Sequence, residues 1–382
     1  MKCVILGFGF LARYLLPCCE HLLGRCDGQT LAAVKGTPRD IEALRARYPF
    51  PVQAGGALEA LRSLRPDVVL LCVKPHQVAA VLEDAVKPYL REMRAAGQAL
   101  PDIYAFAAGL TPVDYLPLLG EDVNVACMTP NMLCAIEGRD VAPVGVCFVS
   151  FAPGHVWPAQ NRRRALAFLR PVGTVLEITP EIVPDYIALN CSCHMMFEFN
   201  YIAQEALERA GRRVSLAQTA QGYRLAFRKI FDEPCAHLVE CDGTLWDAGT
   251  LAVMELFMRG WYEGLMAYCA RAGVPREAAH RNACASMEVF QMEVQLETRA
   301  QLEETTRLHA TPGGFLEKAI ATFAREGMAC CQEIWRRALE GQTAPDALAR
   351  VRSIAETVLE STARHGREMA RRAGEQCAAS AR

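Results

Sequence analysis

The sequence predicts an α/β fold, a doubly wound parallel sheet followed by an all-α domain. The chain opens with an apolar strand that runs directly into a glycine turn, residues 2–12. Short apolar runs then alternate with helical segments as far as about residue 180, which is the pattern of a parallel sheet covered by helices. Beyond Pro180 the strand patterns give way to long segments that carry apolar residues at helical spacing.

The composition is that of a two-domain globular protein. Its 382 residues allow two cores, and 52% are hydrophobic and 22% charged. A formal net charge of −2 gives no electrostatic reason to expect nucleic acid or a membrane surface as a partner. No apolar run has the length of a membrane span. The 17 cysteines are scattered, and no secretory signal precedes the first strand, so we expect a reducing, cytoplasmic location.

The opening glycine turn has the pattern G-x-G-x-x-A. Gly7 lets the strand turn sharply, Gly9 lets the backbone approach a pyrophosphate, and Ala12 lets the following helix pack closely on the strand. The helix then directs its N-terminal N–H groups toward the phosphates. The pattern therefore predicts a Rossmann dinucleotide-binding domain whose turn comprises Gly7, Phe8, Gly9, Phe10, Leu11 and Ala12.

The end of the second strand bears on the choice of cofactor. An NAD site usually ends this strand in a carboxylate that binds the ribose 2′-hydroxyl. Here the apolar run 31–34 ends in Lys35, and Thr37 and Arg39 follow. Two cations and a hydroxyl suit a 2′-phosphate, so NADPH is the predicted cofactor. A solvated loop that is basic by chance is the alternative.

Further strands are predicted from apolar runs at residues 68–73, 103–109, 123–126, 144–149 and 172–178. The first of these is continuous, as in a strand buried on both faces. Ligands of open α/β sheets bind at the carboxyl ends of the strands. We therefore expect the segments that end two of the strands to join the cofactor site: Cys72, Val73, Lys74 and Pro75, and Ala107, Ala108 and Gly109.

Long helices are predicted at residues 186–209, 250–272, 276–302 and 316–339, and another after about residue 343. The methionines at 254, 258 and 266 fit a helix core or a subunit interface. Trp246 lies between two turns, in a segment that is expected to connect two helices. Its side chain is expected to dock into the core rather than to form a lid. The domains are accordingly placed at residues 1–180 and 181–382.

Six short motifs occur in order along the chain: G-F-G-F-L-A at the glycine turn, D-V-V-L-L-C-V-K-P at 67–75, A-A-G at 107–109, P-N at 130–131, R-A-G-V-P-R-E-A-A at 271–279 and T-P-G-G at 311–314. This series resembles the pyrroline-5-carboxylate reductases. The resemblance implies a homodimer with an NADP-binding Rossmann domain and a helical dimerisation domain. It also implies hydride delivery to the C=N bond of a small carboxylate-bearing imine, bound by Pro130, Asn131, Thr311, Gly313 and Gly314.

Several positions depart from the family pattern. Phe315 and Leu316 stand where the family has two threonines, and Cys127 stands where it has an arginine. The chain is also longer than the family, with the excess placed at about residues 200–250 and in the C-terminal tail. An altered pocket predicts a different substrate. A 3-hydroxyacid-type dehydrogenase acting on C=O, or a non-catalytic NADP-binding assembly protein, are the alternatives.

Three residues are candidate catalytic groups. Thr311, with the N–H groups of Gly313 and Gly314, can bind a carboxylate or an imine, although Thr-Pro is also an ordinary helix start. His194, one helical turn from Glu198, is a candidate general acid, although a histidine on an apolar helix face is more often a core residue. His309 is a second candidate proton donor because it precedes the turn.

The cysteines and histidines do not predict a metal site. Cys191, Cys193 and His194 have no second ligand pair downstream, and His237 and Cys241 are flanked by loop residues. Buried thiols in a helix core are the expected arrangement.

Overall fold

A computed structural model describes residues 1–130, 146–231, 243–293, 298–310, 312–342 and 344–380. The described residues divide into two compact units. One comprises residues 1–130, 146–183 and 368–380, and the other lies within residues 184–367. Asn131, His237, Cys241 and Thr311, which the sequence analysis singles out, lie outside the described residues, as does the side chain of His309.

The first unit contains one eight-stranded sheet in the order β3-β2-β1-β4-β5-β6-β7-β8. Its strands are β1 (Cys3–Leu6), β2 (Leu31–Lys35), β3 (Val52–Ala54), β4 (Val68–Leu71), β5 (Asp102–Ala105), β6 (Val125–Thr129), β7 (Val146–Phe151) and β8 (Thr174–Ile178). Its helices are α1 (Phe10–Tyr14), α2 (Leu16–Leu23), α3 (Ile41–Arg47), α4 (Ala57–Leu64), α5 (Pro75–Val81), α6 (Lys87–Ala95), α7 (Pro112–Leu119) and α8 (Ala159–Phe168). The predicted doubly wound α/β class is confirmed.

The strand directions correct one part of that prediction. Strands β1 to β6 are parallel, but β7 is antiparallel to β6, and β8 is parallel to β7. The sheet is therefore mostly rather than wholly parallel. An apolar run that is buried on both faces has the same pattern in either direction, so periodicity does not encode this reversal.

The inner strands of the sheet are buried on both faces, and alternate residues of β1, β2, β4, β5 and β6 belong to different cores. In β1, Cys3 and Ile5 pack on one side, whereas Val4 and Leu6 pack on the other. This alternation follows from the two-residue period of a strand. Burying one such aliphatic side chain contributes about 1.5–3 kcal/mol to stability. Burial of the continuous apolar runs therefore favours a structure in which the sheet lies at the centre of the unit.

The second unit is helical throughout its described part. Its helices are α9 (Val183–Cys193), α10 (Met195–Arg209), α11 (Leu216–Arg228), α12 (Ala248–Arg271), α13 (Arg276–Glu293), α14 (Arg299–His309), α15 (Phe315–Glu326), α16 (Met328–Leu339) and α17 (Ala347–Ser380), of which α9 begins at the last residue of the first unit and α17 extends beyond residue 367. Three predicted long helices are each divided in two, and α11 lies in the segment that was predicted as an insertion.

Aromatic residues and glycines hold the helical core together. Phe199 contacts Trp261 with ring centroids 5.1 Å apart. A Cβ at Gly264 would lie 2.5 Å from the carbonyl oxygen of Arg352, so α12 and α17 approach too closely for a side chain at that position. Met254 is fully buried, as predicted for a helix core, and Trp246 is buried in the connector before α12.

Membrane-spanning helices and metal-binding clusters are both absent from the described residues. None of the described helices is long and apolar enough to cross a membrane. Within the same residues, no three His, Cys, Asp or Glu side chains are grouped so that they could hold a metal ion.

Candidate functional site

The glycine turn after β1 is fixed by its neighbours on both sides. The N–H groups of Gly7 and Phe8 both donate to the carbonyl oxygen of Val34 at the end of β2, at 2.9 and 3.0 Å. Gly7 has a φ of +97°, and a Cβ there would lie 2.7 Å from both the carbonyl carbon and the oxygen of Cys72. Position 7 therefore requires glycine for its backbone conformation and for its contact with the end of β4.

The other side of the turn is open. A Cβ at Gly9 would meet no atom within 4 Å. Ala12 is fully buried, so it packs α1 against the sheet, whereas Phe10 is 58% exposed. Because β2 and β4 lie on opposite sides of β1, this space is at the point where the strand order reverses. Ligands of doubly wound sheets bind in such a crevice.

The other predicted cofactor segments follow the two neighbouring strands. Residues 72–75 connect β4 to α5, and the side chain of Gln77 accepts a hydrogen bond from the N–H of Lys74 at 3.2 Å. Ala107, Ala108 and Gly109 follow β5, and Gly109 has a φ of +89°. Strands β1, β4 and β5 are adjacent and parallel, so the three segments lie at one edge of the sheet.

The basic loop after β2 contains an acidic residue whose role the sequence analysis missed. Lys35 donates to the carbonyl oxygen of Arg39, and its Nζ lies 3.8 Å from Oδ2 of Asp40. The Nε of Arg39 lies 3.6 Å from the same oxygen, while Thr37 is exposed. Asp40 thus partly neutralises both cations that were predicted to bind a phosphate.

The predicted substrate turn is already hydrogen-bonded within the protein. Gly313, with a φ of +70°, donates its N–H to the carboxylate of Glu317, three residues beyond the N-cap Gly314. Its carbonyl oxygen lies 2.9 Å from Nε2 of His365, which must donate because a carbonyl only accepts. A substrate carboxylate at this turn would therefore have to displace Glu317 from the Gly313 N–H.

Phe315, which follows the T-P-G-G motif, has a packing role. It is buried, and its ring would lie 2.2 Å from a Cβ at Gly366 on α17. Leu316 beside it is half-buried. The Phe315 ring therefore brings α15 and α17 into close contact, and this side chain offers no hydroxyl group to a ligand.

His194 lies in the core, where α9 ends and α10 begins. It is 2% exposed, its ring meets that of Phe197 edge-on at 4.6 Å, and its Nε2 lies 3.3 Å from Oγ1 of Thr306 on α14. The neighbouring Glu198 is paired with Arg299, whose Nη1 lies 2.6 Å from its carboxylate. The sequence analysis did not identify Arg299 as the partner of this buried carboxylate.

Pro130 and Cys193 are also buried, and Cys191 is half-buried. Pro130 directly follows β6. Cys193 lies in the core, and burial raises the pKa of Cys191 to about 12. Both thiols are therefore protonated at neutral pH, as expected for thiols in a helix core.

No family model and no curated protein sequence matches this chain. Solved structures do match. A pyrroline carboxylate reductase from Plasmodium falciparum with NADP bound is 12% identical with a TM-score of 0.36, over 93% of this chain and 98% of that one. A pyrroline-5-carboxylate reductase from Coxiella burnetii is 16% identical with a TM-score of 0.38, over 93% and 99%. An NADH-preferring ketol-acid reductoisomerase from an uncultured archaeon is 15% identical with a TM-score of 0.43, over 77% and 93%. These likenesses concern the fold.

Proposed function

We propose that the chain is an NADPH-dependent oxidoreductase that delivers hydride to the C=N bond of a small, carboxylate-bearing imine. Residues 1–180 form its NADP-binding domain, and residues 181–382 form its helical substrate and dimerisation domain. The observation that carries the proposal is the asymmetry of the glycine turn. Gly7 lies too close to the backbone of Cys72 for any side chain, whereas Gly9 faces open space. This space lies where the strand order of the sheet reverses, beside β1.

This open space suits a pyrophosphate, because the backbone of Gly9 can be approached closely there and a Cβ at position 9 would project into the same space. In the proposed site the turn 7–12 binds the phosphates, residues 72–75 and 107–109 line the cofactor, and Lys35, Thr37 and Arg39 bind the 2′-phosphate. The bound nicotinamide supplies the hydride. The protein then has to orient the imine, exclude water and supply a proton to the nascent amine.

We propose that the substrate residues and proton donors lie as the resemblance implies. Pro130, Asn131, Thr311, Gly313 and Gly314 bind the imine, and His194 or His309 supplies the proton. Among these, the described environment of His194 fits a buried proton donor, because its Nε2 faces a hydroxyl group.

Asp40→Asn is expected to increase the preference for NADPH over NADH. The substitution removes a negative charge beside Lys35 and Arg39 that repels a 2′-phosphate and competes for both cations. Exposed interactions of this kind are worth about 0.2–1 kcal/mol each, so removing both should change the ratio of dissociation constants by about 2- to 30-fold. Titration with both cofactors measures this ratio. An unchanged ratio would show that the loop does not contact the 2′-position.

Glu317→Gln is expected to favour carboxylate-bearing ligands at the Gly313 turn. The present carboxylate occupies the Gly313 N–H and repels a second anion. Removing its charge should strengthen binding of a small carboxylate by about 1 kcal/mol, or about fivefold. The amide shifts of Gly313 and Gly314 in labelled protein, titrated with L-proline, measure this. Equal affinities in both proteins would exclude the turn as the carboxylate site.

The reaction class is tested by NADPH oxidation with the purified protein. The panel comprises pyrroline-5-carboxylate, pyrroline-2-carboxylate, an open-chain imine formed from a keto acid and an amine, and the keto acid alone. Turnover of an imine is the expected result. Turnover of the keto acid without amine would assign the protein to the C=O dehydrogenases. Cofactor binding without any turnover would favour a non-catalytic assembly protein.

A further inference from the structure

The second unit contains a cysteine, a histidine and a tyrosine in mutual contact. His280 and Cys284 lie one helical turn apart on α13, and the Sγ of Cys284 is 3.6 Å from Nδ1 of His280. The hydroxyl of Tyr262, from α12, lies 2.8 Å from the same nitrogen. One imidazole nitrogen is therefore within reach of both a thiol and a phenol.

The imidazole is held in place and yet reaches solvent. His280 is exposed, Tyr262 is half-buried and Cys284 is 7% exposed. The ring of Phe231 packs on Tyr262 with centroids 4.5 Å apart and on His280 with centroids 6.4 Å apart. Because the imidazole reaches solvent, it can exchange a proton with water while its other nitrogen faces the thiol.

Several charged residues lie close to His280 along α13. The guanidinium of Arg276 favours the ionised phenol of Tyr262, although burial raises the pKa of that phenol overall. Arg281 is paired with Glu277 at 2.7 Å, and both side chains are exposed. No carboxylate of the described residues contacts His280, so the thiol is the acid that this imidazole can deprotonate at neutral pH.

Cys284 differs from the other thiols of the described chain. Like Cys284 itself, Cys193 and Cys269 are buried, and burial raises the pKa of Cys269 to about 12. Cys284 is the described thiol with an imidazole nitrogen within hydrogen-bonding distance. Contact with an imidazole or imidazolium is what converts an inert thiol into a nucleophile.

We propose that Cys284 is a reactive thiol, with His280 as its base, and that hydroperoxides oxidise it to a sulfenic acid. The thiolate sulfur attacks the terminal peroxide oxygen, so that an S–O bond forms and the O–O bond breaks. The sulfur is oxidised by two electrons and the peroxide is reduced to water or an alcohol. The proton that His280 takes from the thiol goes to the departing oxygen. This reactivity is independent of the proposed reductase activity.

Tyr262 restrains this reactivity. Its hydroxyl can donate to the same Nδ1 that would accept the thiol proton, so the two groups compete. Removing the phenol oxygen while retaining the ring leaves Nδ1 to the thiol. Tyr262→Phe is therefore expected to increase the reactivity of Cys284, and His280→Asn is expected to decrease it.

The test is brief treatment of the full-length protein with hydrogen peroxide at pH 7, followed by dimedone trapping of sulfenic acids. Trypsin releases residues 282–299 with Cys284 as their one cysteine, and residues 260–271 with Cys269 as theirs. Mass spectrometry then reports both sites in one sample. An imidazole that lowers a thiol pKa from about 8.5 to about 7 raises the thiolate fraction at pH 7 from about 3% to about 50%, an increase of about 15-fold.

The expected result is labelling of Cys284 at least ten times faster than Cys269, falling toward the rate of Cys269 in His280→Asn and rising in Tyr262→Phe. Equal labelling of the two cysteines in the wild type, or an unchanged rate in a folded His280→Asn protein, would overturn the proposal. If His280→Asn does not fold, the Tyr262→Phe variant tests the proposal alone. A Cys284 labelling rate in that variant at or below the wild-type rate would contradict the proposal.

Discussion

Gly7→Ala is expected to abolish NADPH binding and to destabilise the first unit. The new Cβ would lie 2.7 Å from the backbone of Cys72, at a residue whose φ is +97°. The left-handed conformation costs about 1–2 kcal/mol for a residue with a side chain, and forced overpacking costs about 1–3 kcal/mol. Because neither backbone segment can move without breaking the β1–β4 pairing, both costs apply and we expect a loss of about 2–5 kcal/mol. Denaturant unfolding and NADPH titration measure the two effects.

Gly9→Ala is the matched control, because it adds the same methyl group to the same turn. A Cβ at position 9 meets no atom within 4 Å, so the variant should unfold at the wild-type denaturant concentration. It should nevertheless weaken NADPH binding about 10- to 100-fold, since the methyl group occupies the space proposed for the pyrophosphate. Wild-type affinity in a folded Gly9→Ala protein would exclude this turn as the phosphate site.

Arg164→Ala is expected to be the most destabilising substitution of a charged residue in the first unit. Asp102, at the start of β5, is 1% exposed and pairs with Arg164 at 2.5 Å. It also accepts hydrogen bonds from Asn124 and Asn161 at 2.9 and 3.0 Å. Removing the arginine leaves a buried carboxylate without its countercharge, which costs about 3–5 kcal/mol. Denaturant unfolding measures the free energy.

Arg62→Ala is the control for this effect. Arg62 pairs with Glu92 at 2.5 Å, but both side chains are about half exposed, at 49% and 47%. Exposed pairs contribute about 0–1 kcal/mol. A similar loss of unfolding free energy in Arg164→Ala and Arg62→Ala would mean that Asp102 is solvated in solution, contrary to its burial in the structure.

The fold class could be predicted from the sequence because strand burial has a local signature. The runs in β1 and β4 are apolar at every position, as two-sided burial requires. Strand β3 has three residues, which is too short for any period to show. The reversal of β7 was also not predictable, because strand direction depends on the connection and not on the apolar pattern.

The helical unit was predicted as segments but not as individual helices. Residues 186–209 keep a helical apolar period through His194, where α9 ends and α10 begins. A short interruption between two helices leaves the period of buried residues nearly unchanged, so the pattern does not reveal it.

The candidate site was predictable where backbone conformation dictates residue type, and less so where distant side chains meet. Gly7 must be glycine, and its position after a strand shows this directly. The pairing of Glu198 with Arg299 joins residues 101 positions apart, and no local pattern encodes it. The contacts of Asp40 and Glu317 are local, because Asp40 is the N-cap of α3 and Glu317 is the N3 residue of α15. Acidic residues at these two positions are recognisable signals of a helix start.

The most direct test of the central claim is calorimetric titration of the wild-type protein and of Gly9→Ala with NADPH. The account predicts one site per chain in the wild type, with a dissociation constant of about 1–100 μM, the range usual for enzyme cofactors and substrates. It predicts binding at least tenfold weaker in the folded variant. Absence of NADPH binding to the wild-type protein, or equal affinity in both proteins, would contradict it.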